Sequence, residues 1–172
     1  MYKRQLLVGI TPGDFCSQDP LAGVTFQRKL EEQAFHLGGG DFRAPAQCVE
    51  DFLAGRVGKE FGNIQPSYRP GVTLSNLQEC FPNEITESLR TGILEMDRYL
   101  PGFAAKDAVL TGIESRSSSP VRILRGENCQ SLTVQGLYPC GEGAGYAGGI
   151  VSAAVDGLRC AEAVLKADKC IL

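Results

Sequence analysis

The sequence predicts a mixed α/β fold, and three features of its patterning carry that prediction. Apolar residues recur at helical spacing through most of residues 14–107. From residue 108 the period changes to short β-rich runs separated by turn residues. The chain then passes through a glycine-crowded bend into a long helical pattern. A chain of 172 residues buries roughly 70% of its unfolded surface, enough for a core without disulfide staples.

Asp19-Pro20 is a helix-start signal, a capping side chain followed by a proline suited to the first helical position. Phe26, Leu30, Ala34 and Leu37 then share one face, and Gly38–Gly40 stop the helix. A second short helix is expected from Pro45 to Ala54, with Val49, Phe52 and Leu53 apolar and Gly55 as its stop. Residues 55–74 hold Gly, Pro, Asn and Ser without a period and read as a long loop. Ser75-Asn-Leu-Gln78 is a capping box for a short helix broken by Pro82. Asn83 is expected to cap the next helix, whose stripe is Ile85, Leu89, Ile93, Met96 and Leu100, closed by Pro101-Gly102. All these stripes read as packed core. Strands are expected at Ala108–Ser115, Val121–Arg125 and Leu132–Tyr138, and a last helix from Gly148 to Ala167, with Ile150, Ala154, Leu158, Ala161 and Leu165 on one face.

Charge removes some functions. Seventeen basic and 20 acidic residues leave a net charge of −3, no footprint for nucleic acid or an anionic membrane. The longest apolar stretch, Ala147–Leu158, is too short to span a bilayer and carries Asp156. The apolar run near Met1 is too short for a signal peptide. Seven cysteines without a C-x-x-C pair read as reduced thiols of a cytoplasmic protein, with no metal site. Cys140 reads as a packed thiol. His36, the single histidine, lies at a helix end and reads as a surface or capping residue rather than a catalytic base.

The 21 glycines exceed the usual ~7%, and they are concentrated. Gly141, Gly143, Gly145, Gly148 and Gly149 fall between the last expected strand and the last helix. Strand, glycine bend and helix N-terminus together make an anion or polar-oxygen site, because free N–H groups point outward and missing Cβ atoms admit a ligand. A tight turn alone would need one or two glycines. No Lys-Ser/Thr follows, so this is not a P-loop, and the spacing is not G-x-G-x-x-G.

The run GLYPCGEGAGYAGGIVSAAVDGLRCAEAV resembles the C-terminal flavin-binding motif of two-dinucleotide-fold flavoproteins, and more closely the C-terminal part of the bacterial FAD-dependent dehydrogenase (oxidoreductase) family. PLAGVTFQRKLEEQAF, LGGGDFRAPAQCVEDFLAG and TGIESRSSSPVRI also look like that family, so the resemblance runs from about Asp14 to near the end. It implies a mainly helical inserted substrate-side domain over 14–107, and over 108–172 the strand, glycine turn and helix that complete an FAD-binding domain. It also implies that Glu142 hydrogen-bonds the ribityl hydroxyls of FAD. The backbone around Gly148-Gly149-Ile150 would face the pyrimidine end of the isoalloxazine, and Gly141, Gly143, Gly145 and Tyr146 belong to the same cofactor-binding bend. A helix N-terminus favours negative charge on a reduced flavin by ~0.3–2 kcal/mol.

Arg116, Ser117, Ser118, Ser119 and Arg122 form a second polar cluster, which on composition is a hairpin turn. In the family this stretch lies near the flavin, which offers Glu114, Arg116 and Ser118 as cofactor or substrate contacts. No catalytic acid or base is assigned. The N-terminal strand and G-x-G-x-x-G that hold the ADP half of FAD are missing; Val8-Gly9-Ile10-Thr11-Pro12-Gly13 is a poor match. Residues 1–13 read as linker and partial strand. Tyr2-Lys3-Arg4-Gln5 is also what a transposon-end sequencing adapter encodes in one frame, so residues 1–5 are expected to be foreign to a truncated gene.

Two functions follow. The first is the C-terminal fragment of an FAD-dependent oxidoreductase acting on a small-molecule substrate, inactive as this isolated chain and completed by an N-terminal FAD-binding segment of the same protein. The alternative is a non-catalytic module that binds a phosphate- or nucleotide-bearing ligand at the glycine bend.

Overall fold

The structure, a computed structural model, describes residues 5–15 and 17–169. The expectation that residues 1–5 are foreign falls mostly outside them, as do Cys16 and Cys170. The elements are α1 (Ala22–Leu37), β1 (Ala44–Cys48), α2 (Val49–Ala54), β2 (Val72–Leu74), α3 (Asn83–Tyr99), β3 (Val109–Thr111) and α4 (Ile150–Lys169), with 3-10 turns at Pro12–Asp14 and Leu77–Cys80. The fold is mixed α/β. The chain divides into two compact units, one of Met1–Asp14 with Arg28–Ser115 and one of Phe15–Gln27 with Arg116–Leu172.

The first unit is built on a three-stranded sheet in the order β2-β1-β3, β1 parallel to β2 and antiparallel to β3. This corrects two expectations: Pro45–Cys48 is strand rather than helix, and part of the expected loop 55–74 is β2. The reason is burial on both faces. Ala46, Gln47 and Cys48 are all buried, which suits a central strand and not the one-sided stripe of a surface helix. Pro45 lies at the end of the β3 ladder, where its carbonyl accepts from the Gly112 N–H at 3.0 Å. Gln47, fully buried, is satisfied at both ends: its amide donates to the Arg56 carbonyl (2.7 Å) and its oxygen accepts from the Leu77 N–H (3.0 Å). The helix keeps only Val49–Ala54, with Gly55 in the left-handed region at φ +68° as its stop.

The core of this unit is Ala34, Val49, Phe52, Leu77, Cys80 and Ile93. In α3 the stripe holds at Ile85, Leu89 and Ile93, but Met96 and Leu100 are exposed. Asn83 is the first helical residue rather than the cap, a place held by Pro82. The expected capping box shifts by one residue. Asn76 accepts from the Gln78 N–H, while the Ser75 hydroxyl turns to the Leu37 carbonyl at 2.8 Å. The α1 stripe holds, with Leu30 and Ala34 buried. His36 is exposed, edge-on to Phe35.

Among the described residues the second unit contains no strand. Val121–Arg125 makes one antiparallel bridge, Arg125 to Ser131, Leu132–Tyr138 makes none, and the strand expected to lead into the glycine bend is absent. Its backbone groups turn inward: the Ser131 N–H donates to the Leu137 carbonyl (2.8 Å) and the Leu132 N–H to the Leu124 carbonyl (3.2 Å). Loops spent on local bonds leave no ladder. Leu124, Leu132, Val134 and Leu137 stay exposed. The expected final helix forms as α4, starting at Ile150.

Candidate functional site

The glycine bend is wound tightly by its own backbone. The Tyr146 N–H donates to the Gly141 carbonyl (3.0 Å) and the Gly145 N–H to the Glu142 carbonyl (2.9 Å). Gly145 has φ +81°, and a Cβ there would stand 2.5 Å from the Val121 carbonyl oxygen. Gly141, with φ +71°, likewise needs the left-handed region. The other glycines differ. Gly143, Gly148 and Gly149 have no such φ, and among the described residues a Cβ would meet nothing within 4 Å at Gly143 and Gly148 and only Ser152 Oγ, at 3.6 Å, at Gly149. Two of the five glycines are required by the chain, and three are not.

The bend is anchored to α4 by an ion pair that sequence reasoning missed. Arg125 donates from Nη2 to Asp156 Oδ1 (2.6 Å) and from Nη1 to Oδ2 (3.0 Å), and also to the Pro139 carbonyl (2.7 Å) and Cys160 Sγ (3.1 Å). Asp156 in turn accepts from the Gly141 N–H at 2.9 Å. The guanidinium lies 3.7 Å from the centre of the Tyr146 ring, whose hydroxyl donates to the Ile123 carbonyl at 3.0 Å. Both members of the pair are nearly buried. The Arg125 guanidinium, with the Gly141 N–H, holds the Asp156 carboxyl down to about 2, and Asp156 pushes the guanidinium up. The signal available in the sequence was Asp156 itself, the one charge inside the apolar run 147–158, where a lone carboxylate calls for a partner.

Of the second polar cluster, Ser119 and Arg122 touch the bend. The Ser119 hydroxyl lies 3.1 Å from the Gly143 carbonyl, and Arg122 Nε donates to the Gly145 carbonyl at 3.0 Å. Arg116 and Ser118 are exposed in the same unit. Glu114, also exposed, belongs to the other unit. Glu142, Gly148, Gly149 and Ile150 are exposed. At the start of α4 the Gly149 N–H donates to Ser152 Oγ (3.2 Å), which itself donates back to the Gly149 carbonyl (2.9 Å). Ser152 thus does what the third-position Glu does in a capping box. The donors left at the helix opening are the first-turn N–H groups of Ile150, Val151 and Ser152, for which a helix has no internal acceptor. An open depression of about 710 Å³ lies there, lined among others by Tyr146, Gly149, Ile150, Val155 and Arg159.

Residues 4–117 match the family described as FAD-dependent protein, C-terminal domain-like. The chain belongs to that family. An uncharacterized protein of Clostridium beijerinckii is 48% identical over 161 residues, which is 94% of this chain and 30% of the relative. The chain therefore spans about 30% of the length of the curated relative it matches. The family match ends at residue 117, before the glycine bend, so it covers most of the sheeted first unit. No helix among the described residues is long and apolar enough to cross a membrane.

Proposed function

We propose that this chain is the C-terminal part of a longer FAD-dependent oxidoreductase, in which the bend 141–149 and the first turn of α4 receive the flavin. The observation that carries the reading is the set of glycines the chain does not itself need. Gly143, Gly148 and Gly149 cost backbone entropy and fill no strained position, yet they lie in the bend that leads into α4, where Gly149 lines the open depression at the helix N-terminus. The bound flavin supplies hydride-transfer chemistry. The chain's residues bind and orient: Glu142 accepts from ribityl hydroxyls, while the first-turn N–H groups of α4 face the pyrimidine end and favour negative charge there. Arg125 and Asp156 hold the bend at the helix start. The substrate is a small molecule, and residues 14–107 are the substrate-side domain in this reading.

The partner in this reading is the remainder of the same polypeptide, with its own segment for the ADP half of FAD. The apolar surface of the second unit supports it. Ile150 is 93% exposed, Val151 76% and Leu158 67%, and Leu124, Leu132 and Val134 are also exposed, more uncovered apolar surface than a self-sufficient domain keeps. A free-standing ligand module would instead need a closed sheet around the bend, and residues 121–138 make a single bridge.

The test is a chimera in which the matching segment of the Clostridium beijerinckii relative is replaced by this chain. It is expected to purify with flavin, and Glu142→Ala to lower flavin retention at least ~10-fold through the lost hydrogen bonds. A well-folded chimera without flavin, or full retention in Glu142→Ala, sinks the reading. The isolated chain is expected not to retain FAD, and a yellow isolated chain refutes that part.

A further inference from the structure

The sheet of the first unit has an open side. β1 is its middle strand, buried on both faces, with β2 along one edge and β3 along the other. At the two ends of the β1–β3 ladder the Val49 N–H donates to the Ala108 carbonyl (2.9 Å) and the Gly112 N–H to the Pro45 carbonyl (3.0 Å). With Gln47 opposite Leu110, this register makes Leu110 the residue of β3 that exchanges both bonds with β1. The N–H and carbonyl of Val109 and of Thr111 therefore point away from β1. Among the described residues these groups find no partner, and Thr111 is exposed.

The opposite edge differs. β2 is half-buried along its length, and the end of α1 lies against it: the Thr73 hydroxyl donates to the Gly38 carbonyl and the Ser75 hydroxyl to the Leu37 carbonyl (2.8 Å). An edge of unpaired backbone groups is a template for another strand. Apart from its length of three residues, β3 has none of the devices that blunt such an edge. Val109-Leu110-Thr111 carries no proline and no charge, and its register with β1 runs without a bulge.

We propose that a strand from the remainder of the polypeptide pairs with the outer edge of β3 and extends this sheet beyond its three strands. The proposal rests on the reading that the chain is part of a longer protein, and not on flavin binding. The chain spans about 30% of the Clostridium beijerinckii relative, and the other 70% is where that strand is sought. The register also sets the character of the incoming strand. Leu110 packs against the core on the sheet face it shares with Gln47, so the residue that comes to lie beside it is apolar. Val109 and Thr111 lie on the opposite face, where Thr111 is exposed. The incoming strand therefore alternates apolar with polar or β-branched residues.

The experiment compares amide hydrogen exchange in the isolated chain and in the chimera with the Clostridium beijerinckii relative. In the isolated chain the Leu110 N–H, paired with Gln47, is expected to exchange slowly and those of Val109 and Thr111 fast. In the chimera the latter two are expected to slow at least ~10-fold. Thr111→Pro removes one outward N–H at an edge position that tolerates proline. It is expected to return Val109 to fast exchange in the chimera and to leave Leu110 slow in the isolated chain. Fast exchange of Val109 and Thr111 in a folded chimera, or slow exchange of both in a monomeric isolated chain, overturns the proposal. Protection that grows as the isolated chain dimerises, and is no greater in the chimera, makes the partner a second copy and overturns it too. Where the chimera does not fold, the same amides are followed in the intact relative, at the residues aligned with Val109 and Thr111. Flavin content is read on the same samples: protected amides without flavin count only against the flavin reading, and flavin with fast amides counts only against this one.

Discussion

The two units bury opposite kinds of residue. In the first, Phe52, Ile93, Leu77 and Val49 are almost wholly inside and the one fully buried polar side chain, Gln47, bonds two backbone groups. In the second, the buried residues include Asp156, Cys160 and Ala144, while Ile150, Val151, Leu158 and Leu165 face outward. The first unit has a hydrophobic core of the ordinary kind, worth ~1.5–3 kcal/mol for each large side chain taken from water. The second is organised around one ion pair that ties a backbone turn to a helix. Such a device contributes less net stability than apolar packing, because desolvation offsets most of the attraction. What it supplies is geometry: it sets where the glycine bend lies against α4.

The sharpest way to break the contrast is to remove the centre of each unit. Phe52→Ala is expected to cost about 3–5 kcal/mol, since it empties a site whose side chain is 1% exposed. Denaturant unfolding would show this as a lowered midpoint. Asp156→Ala is expected to cost about 3 kcal/mol, mainly by leaving Arg125 nearly buried without its carboxylate. Its distinguishing readout is amide exchange. The Gly141 N–H should lose protection in Asp156→Ala and keep it in Phe52→Ala, and equal loss in both would mean that the ion pair does not hold the bend.

Within the bend the glycines separate again. Gly145→Ala is expected to destabilise by about 1–3 kcal/mol, because its φ of +81° disfavours a side chain and a Cβ would press on the Val121 carbonyl. Gly148→Ala, with open space at its Cβ, is expected to change stability by less than ~0.5 kcal/mol. In the chimera described above, Gly148→Ala is nevertheless expected to weaken flavin retention. Thermal unfolding and flavin content measured on the same samples test the pair, and unchanged retention would return Gly148 to an ordinary turn residue.

These contrasts also mark what the sequence made legible. Helices with one-sided stripes were readable: Leu30 and Ala34 in α1 and Ile85 and Ile93 in α3 sit inside as their spacing requires. β1 was not, because a proline followed by small and polar residues reads as a helix start, and only pairing on both edges makes Gln47 a core residue. The strands expected at 121–125 and 132–138 failed because β propensity needs a neighbouring strand to act on. The glycine bend was legible as a turn leading into a helix, and that turn forms. Its anchor was not, since Arg125 and Asp156 are 31 positions apart and their bond depends on tertiary structure. Asp156 gave the one hint, as a charge where the pattern wanted an apolar residue.

The smallest expected effect follows the protonation of that same carboxylate. Asp156 titrates at about 2 in the folded chain against 3.8 ordinarily, with the Arg125 hydrogen bonds the main cause. A folded value below the unfolded one means that the folded state binds the proton less readily. The pair's contribution is therefore full above pH ~4 and is lost as pH falls through ~2. The shift corresponds to at most ~2.5 kcal/mol, and solvent access at the rim of the pair leaves roughly 1–2. Other carboxylates titrate over the same range, Asp14 and Asp41 among those held low by hydrogen bonds, so the total pH dependence is not diagnostic. The difference from Asp156→Asn is. Between pH 5 and pH 2 the stability gap separating that variant from the unsubstituted chain is expected to narrow by roughly 1–2 kcal/mol. A gap that stays constant across this range would mean that Asp156 is no better stabilised as an anion in the folded chain than in the unfolded one, and the second unit would then owe its arrangement to something other than this ion pair.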